Sequence, residues 1–429
     1  MKPESAPAAS TPVLWFFAVL AGALAAGAVA GFHVLIAGVE WLATGYLGSL
    51  VAAAKSLPPW HRALVGSVGG LLAGVILQLG RRWAARGPDG AEHLDYIEAA
   101  RQGRVDLNNR TTLVRSASSL LSVSTGASLG REGTMVQLGA WFAAKLAQYA
   151  PLSEQQRNVI LVCGIASGIG SAYHAPVAGV VFVLELALGF LAAQTVAPVL
   201  ISAATAAVLM FGLVDPAPLY PMPPVNLVST TLGMALLAGL VCGGIGWGVL
   251  DLVVRTRAAF GRIKAPTLRL GLGGVLVGLL SAFVPEVWGN GYSSITHLLQ
   301  GQSPWTWVLL VLVVKLIATL LSTGSGAIGG MFTPTLFIGA TSGYLIAQGT
   351  SALLPAAAVG DPRMLAVVGM GAMLTAVTHA PLMAIVMVLE MTNQFQLAVP
   401  VMVACGVAHA VSTQFGAKPM YGNPIEVHN

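Results

Sequence analysis

The chain has 429 residues, 56% of them hydrophobic and only 9% charged, with a formal charge of +5. A soluble domain carries about 25% charged residues, so the composition excludes one, and the small basic excess gives no reason to expect nucleic acid. The apolar runs are continuous rather than alternating, which excludes a membrane β-barrel and predicts an all-α polytopic membrane protein.

Residues 1–12, MKPESAPAASTP, are a polar tail without the basic start and short apolar core of a cleaved signal peptide. Apolar runs follow at 13–39, 63–79, 193–214, 228–254, 271–284, 305–321, 363–377 and 396–412. A helical span takes roughly 20 such residues. Arginines crowd 81–115, and arginines with Lys264 crowd 255–269. Basic clusters beside spans mark the cytoplasmic side, so both intervals and the N-terminus are expected there. Cys163, Cys242 and Cys405 lie far apart in apolar segments, as small buried hydrophobes do. They show neither disulfide nor metal spacing.

The sequence repeats itself. LSVSTGASLGREGTMVQLGA at 121–140 is echoed by LSTGSGAIGGMFTPTLFIGA at 321–340. His-Ala-Pro stands at 174–176 and at 379–381, and Val-Leu-Glu follows in both copies, at 183–185 and 388–390. Gly69-Gly70 with Gly74 matches Gly273-Gly274 with Gly278. Three echoes in one order predict two repeats, 13–215 and 225–429, joined by a loop at 216–224. Membrane repeats often have opposite orientation, with a substrate site where broken helices meet near the midplane.

The glycine- and serine-rich turns carry the chemistry. A helix starting near Glu132 points backbone N–H groups and a positive partial charge outward, which suits an anion. Ser124, Thr125, Ser128 and Thr134 add hydroxyl donors, and Ser322, Thr323, Ser325, Thr333 and Thr335 do so in the second copy. Such donors replace part of an anion's hydration shell while letting it leave. Glu132 is itself an anion at that helix start. It is expected to occupy the place of a mobile anion and to leave when protonated or out-competed. Arg131 is expected to be structural or to add positive potential. His174 and His379 are read as turn formers rather than metal ligands, and no metal or cofactor is expected. No His-Glu-x-x-His pattern is present, so an intramembrane metalloprotease is not expected.

Gly130-Arg131-Glu132-Gly133-Thr134 resembles the G-(K/R)-E-G-P element of the CLC chloride channels and proton/chloride exchangers. Gly330-Met331-Phe332-Thr333-Pro334 resembles their G-x-F-x-P element, and Lys418-Pro419-Met420-Tyr421 the region of their anion-coordinating tyrosine. Asp95-Tyr96-Ile97-Glu98-Ala99 and Trp288-Gly289-Asn290-Gly291-Tyr292 are similar to the bacterial ClcB-like branch. The resemblance covers almost the whole chain.

It implies a fold of about 18 helices in two inverted repeats with broken and re-entrant segments, without a cytosolic regulatory domain. It implies a homodimer in the lipid of a bacterial inner membrane, with one chloride path per subunit. Glu132 would be the gate. Gly130, Arg131, Gly133, Thr134, Met331, Phe332, Thr333 and Tyr421 would form the anion-binding elements. The family's anion-coordinating serine has no match in Gly90–Asp95, where Glu92 and His93 stand instead. Thr134 replaces the usual proline, which keeps fluoride open as the anion. The exchangers' second inner acid matches Leu186, beside Glu185. Leucine relays no proton, so a channel is expected, and the resemblance suggests a chloride shunt in acid resistance. Proton-coupled antiport through Glu185 is the alternative. Glu390, the repeat partner of Glu185, is expected to be structural.

Overall fold

The computed structural model describes residues 10–87, 94–187, 193–213, 217–301, 303–353 and 360–421. Among them are 17 α-helices and no strand. In chain order these are α1 (Thr11–Thr44), α2 (Leu50–Ser56), α3 (Pro59–Ala85), α4 (Tyr96–Gln102), α5 (Asn109–Ser124) and α6 (Glu132–Tyr149). Then come α7 (Glu154–Tyr173), α8 (Pro176–Phe182), α9 (Ala193–Leu213), α10 (Thr231–Gly261), α11 (Pro266–Phe283) and α12 (Tyr292–Gln300). The last are α13 (Trp305–Gly324), α14 (Phe332–Ser351), α15 (Pro362–Thr378), α16 (Pro381–Thr392) and α17 (Ala398–Gln414).

Among the described residues, seven helices are long and apolar enough to cross a bilayer: α1, α3, α9, α10, α11, α13 and the segment Phe395–Gln414. The run 363–377 behaves differently. It forms the 17-residue α15, in which every residue from Met364 to Thr378 is buried. Its apolar character serves protein packing rather than lipid contact. Conversely, α5 is rich in serine and arginine, and α6 and α7 are modest in hydropathy. Protein, not lipid, surrounds most of α7, which is buried without a break from Ile160 to Tyr173.

The chain divides into two compact units that each draw on interleaved stretches. One comprises Met1–Leu35, Leu79–Ser116 and Glu132–Leu219; the second comprises Ile36–Gln78, Ala117–Arg131 and Tyr220–Asn429. In the first, α7 packs between α6 and α9. The approach is close: a Cβ on Gly139 would lie 3.3 Å from the Gly164 carbonyl oxygen. In the second, α14 packs on α15, and a Cβ on Gly339 would lie 2.3 Å from the Gly369 carbonyl oxygen. The two contacts join equivalent positions of the two repeats. Small residues at a helix crossing let backbones approach, the usual device where lipid tails are as apolar as leucine.

The Gly-Gly echo has the same purpose. Within the second unit α3 crosses α11 glycine on glycine, and a Cβ on Gly274 would lie 2.4 Å from the Gly66 carbonyl oxygen. The His-Ala-Pro echo is one turn built twice. His174 and His379 each end a helix in the left-handed region, at φ 52° and 57°. Their N–H groups donate to the Gly170 and Thr375 carbonyls, and Pro176 and Pro381 open the next helices. Proline suits the first helical position because its missing N–H would be unsatisfied there anyway.

Candidate anion site

The glycine-rich echoes are breaks between helices. α5 stops at Ser124 and α6 starts at Glu132; α13 stops at Gly324 and α14 starts at Phe332. Gly126 and Gly326 turn the chain at φ 105° and 81°, a region open to glycine at little cost. Beyond each turn, Ala127 and Ala327 donate their N–H groups to the Ser122 and Ser322 carbonyls, at 2.9 and 3.2 Å. Both breaks, up to Arg131 in the first, belong to the second unit.

There the two loops run side by side. Gly130 N–H donates to the Gly330 carbonyl at 2.7 Å, and Gly330 N–H returns the bond to the Gly130 carbonyl at 2.7 Å. Ser128 N–H donates to Ser322 Oγ at 3.0 Å, and the Ser128 and Thr319 hydroxyls share a hydrogen bond of 3.0 Å. Irregular backbone in a membrane protein survives where protein buries it or water reaches it, and these bonds satisfy it from the opposite repeat. A cavity of about 20 Å³ lies among Gly70, Ser122, Thr125, Gly273, Ser322 and Ser325, room for roughly one water molecule.

The hydroxyls of the two breaks fall into two groups. Ser124 Oγ, Thr323 Oγ1 and Thr333 Oγ1 are buried and have no hydrogen-bond partner among the described residues, so each has a donor to offer. Ser128, Ser322, Ser325 and Thr335 bond within the protein instead. Thr333 stands in the first turn of α14 and is 1% exposed; Met331 and Phe332 beside it are buried at 6% and 4%. Tyr421 belongs to the same unit and is half-buried. Met420 N–H, next to it, donates to the Val377 carbonyl at 2.9 Å, which ties that segment to the end of α15. Arg131 is half-buried, and its charge acts on Glu40, a buried acid near the end of α1.

In the first unit Glu132 is the first residue of α6 and only 5% exposed. Gly133 follows it, and Thr134 is buried in the same first turn. A carboxylate there is stabilised by the helix dipole. Glu185 lies in a π-type turn, Val183–Ala187, that continues α8. Turns of this kind concentrate at functional positions. Leu186 is in the same turn, and its carbonyl accepts from Arg101 Nε at 2.9 Å. Glu390 stands near the end of the regular helix α16, so the two Val-Leu-Glu copies differ in backbone.

Glu92 and His93 lie outside the described residues. Asp95 does not: its side chain caps α4 by accepting from Ile97 N–H at 3.0 Å. Gln137 Oε1 accepts from Tyr96 N–H at 3.1 Å. The N–H groups that open α4 are thus occupied by side chains of the chain itself. The same unit holds a polar cavity of about 220 Å³ lined by Leu94, Arg104, Asp106, Asn108, Lys145 and Gln148.

Two features escaped sequence reading. Lys315, 1% exposed in the middle of α13, donates to the carbonyls of Glu286, Val287 and Gly289 at 3.0, 3.1 and 3.0 Å. Its signal was visible as one lysine inside the run 305–321. His379 meets His409 of α17, with ring centroids 5.6 Å apart; no spacing rule pairs residues so far apart in the chain.

A sequence profile of the family described as voltage gated chloride channel matches residues 69–413. The chain is 46% identical over 418 residues to a ClcB-like chloride channel protein of Ralstonia nicotianae, covering 95% of each. It is 37% identical over 421 residues to the voltage-gated ClC-type chloride channel ClcB of Escherichia coli, covering 96% of this chain and 98% of that one. Among solved structures, a slow cyanobacterial Cl⁻/H⁺ antiporter superposes with a TM-score of 0.83 at 22% identity, over 96% and 97% of the two chains. A CLC-type fluoride/proton antiporter does so with a TM-score of 0.73 at 23% identity, over 94% and 96%. The fold is therefore the CLC fold of two inverted repeats, and the chain belongs to the voltage gated chloride channel family.

Proposed function

We propose that the protein is a chloride channel of a bacterial inner membrane, gated by Glu132. The observation that carries this reading is a buried carboxylate placed as the first residue of a helix, directly after a glycine-rich break in a membrane protein. A helix start attracts an anion, and here the chain supplies one of its own. Chloride competes with it, and protonation removes its charge. A gate that carries charge through the membrane field also responds to voltage, by about 2.3 kcal/mol per elementary charge per 100 mV for full transit.

Within the second unit we assign anion coordination to the first turn of α14, Phe332 and Thr333, and to the Tyr421 hydroxyl. Gly130, Arg131 and Met331 shape the loops, while Gly133 and Thr134 hold the gate's own helix start. The polar cavity between Leu94 and Gln148 offers anions a wet cytoplasmic approach. We assign 81–115, 255–269 and the N-terminus to the cytoplasm, and a homodimer with one path per subunit. The relatives named as chloride channels support the anion.

Channel rather than exchanger follows from Leu186. It stands where an exchanger of this family has its second acid, and a hydrocarbon side chain moves no proton. A second reading, proton-coupled antiport, draws on Glu185 in its π-type turn. Purified protein in liposomes separates them. With opposed chloride and proton gradients, a channel reverses at the chloride equilibrium potential and moves no protons. Stoichiometric proton uptake would establish antiport, and absence of chloride flux would remove both readings.

A further inference from the structure

The turn built twice from His-Ala-Pro has diverged. In the first copy His174 Nδ1 is engaged by the Ala217 carbonyl oxygen at 3.0 Å. In the second, His379 finds no such partner among the described residues. Among them too, its Nε2 is shielded from solvent without a hydrogen bond, and so is Nδ1 of His409. The two rings pack edge-on, with centroids 5.6 Å apart and planes inclined at 89°. A buried nitrogen left without a partner is unfavourable, and this ring pair carries two of them.

We propose that His379 and His409 form a binding site for a divalent transition-metal ion of the zinc class. Such an ion holds imidazole nitrogen at about 2.0–2.1 Å, which sets two rings on one ion roughly 5–6 Å apart between centres. The observed separation falls in that range. Both rings are presented by fixed backbone. His379 caps α15 in the left-handed region, with its N–H on the Thr375 carbonyl at 2.9 Å. His409 stands in the last turns of α17, where its carbonyl accepts from the Ser412 and Thr413 hydroxyls. Both residues are half-buried.

No group of three His, Cys, Asp or Glu side chains with metal-holding geometry exists among the described residues. The site therefore supplies two ligands, and water or chloride completes the shell. That makes it an exchangeable site rather than a structural one, which closes with four protein ligands. Neutral imidazole selects borderline-soft ions over magnesium or calcium, which take oxygen ligands.

The test is titration calorimetry of the purified full chain in detergent with zinc or nickel chloride, in parallel with thermal melting. One ion per chain is expected, with a rise in melting temperature that magnesium does not reproduce. His409→Ala and His379→Asn should each weaken binding at least about tenfold, since even outer-shell losses cost that much. Asparagine is chosen because it tolerates the left-handed backbone at 379. His174→Ala should leave binding unchanged. Melting without metal shows that each variant is folded, so a lost metal shift reports the site. No zinc binding by the wild type, or undiminished binding in both variants, would overturn the proposal.

Discussion

Gly130 and Gly330 exchange two backbone hydrogen bonds, each 2.7 Å long. The sequence duplication relates positions 200 apart, and these two residues are that distance apart in the chain. The structure brings the related loops together at the very residues that relate them. A Cβ on neighbouring Gly329 would lie 2.8 Å from Leu129 Cβ and 3.0 Å from the Gly130 carbonyl oxygen. Gly329→Val forces these loops apart and should lower stability by about 1–3 kcal/mol, as overpacking does. Melting of the purified variant in detergent measures this, and an unchanged midpoint would contradict the packing.

The duplicated glycine crossings are not equally tight. A Cβ on Gly339 meets the Gly369 carbonyl oxygen at 2.3 Å, whereas one on Gly139 meets the Gly164 carbonyl oxygen at 3.3 Å. Gly339→Ala must therefore separate α14 from α15, while α6 and α7 yield by a few tenths of an ångström. The first substitution should cost roughly 1–3 kcal/mol and the second less than about 1 kcal/mol. Comparing the melting of the two variants tests the order, and a larger loss at Gly139 would reverse it.

Lys315 fixes the Glu286–Gly289 carbonyls while Lys55 Nζ pairs with the Glu286 carboxylate at 2.8 Å. The ammonium also lies 5.8 Å from the Phe337 ring centroid on α14. Lys315→Met keeps the chain length but leaves at least three carbonyls without their donor. Stability should fall by about 3–5 kcal/mol, the range for breaking buried charged partners. Neutralising Lys55, which is 56% exposed in its side chain, should cost less than about 1 kcal/mol. Equal losses in the two variants would show that Lys315 holds nothing.

The hydrogen bond from Arg104 holds the Asp106 carboxyl below its usual range, against a small opposing effect of burial. A depressed acid stabilises the fold above its unfolded pKa of about 3.9, and that contribution is lost as pH falls through the still lower folded value. Asp106 is 62% exposed in its side chain, so Asp106→Asn should cost under about 1 kcal/mol at neutral pH. The change removes a negative charge from the polar cavity that Arg104 and Lys145 line. Chloride flux should then rise modestly at low salt and match wild type near 1 M, where the Debye length is about 3 Å. A lower flux at low salt would count against that cavity as an anion approach.

Much of this architecture was legible. The three echoes reappear as equivalent turns, breaks and crossings, because glycine, proline and left-handed histidine are dictated by backbone geometry that both copies share. Glu132 at a helix start was legible for the same reason: the glycines before it stop one helix and the acid suits the next. Less visible was where hydropathy misleads. The buried α15 looks like a span, and the serine-rich α5 looks like none, because protein replaces lipid as the solvent of both. The lack of a serine in Gly90–Asp95 gave no hint that Asp95 and Gln137 would cap α4. Lys315 and the His379–His409 pair depend on contacts distant in sequence, which periodicity does not encode.

Glu132→Gln tests the central claim most directly. Glutamine keeps the size and the hydrogen-bonding capacity but never carries the charge that competes with chloride. Chloride efflux from proteoliposomes should be measured from pH 4.5 to 7.5, for wild type and variant. Wild-type flux should rise as pH falls, while the variant stays open and flat across the range. A variant that keeps the wild-type pH response, in a protein shown by melting to be folded, would contradict it.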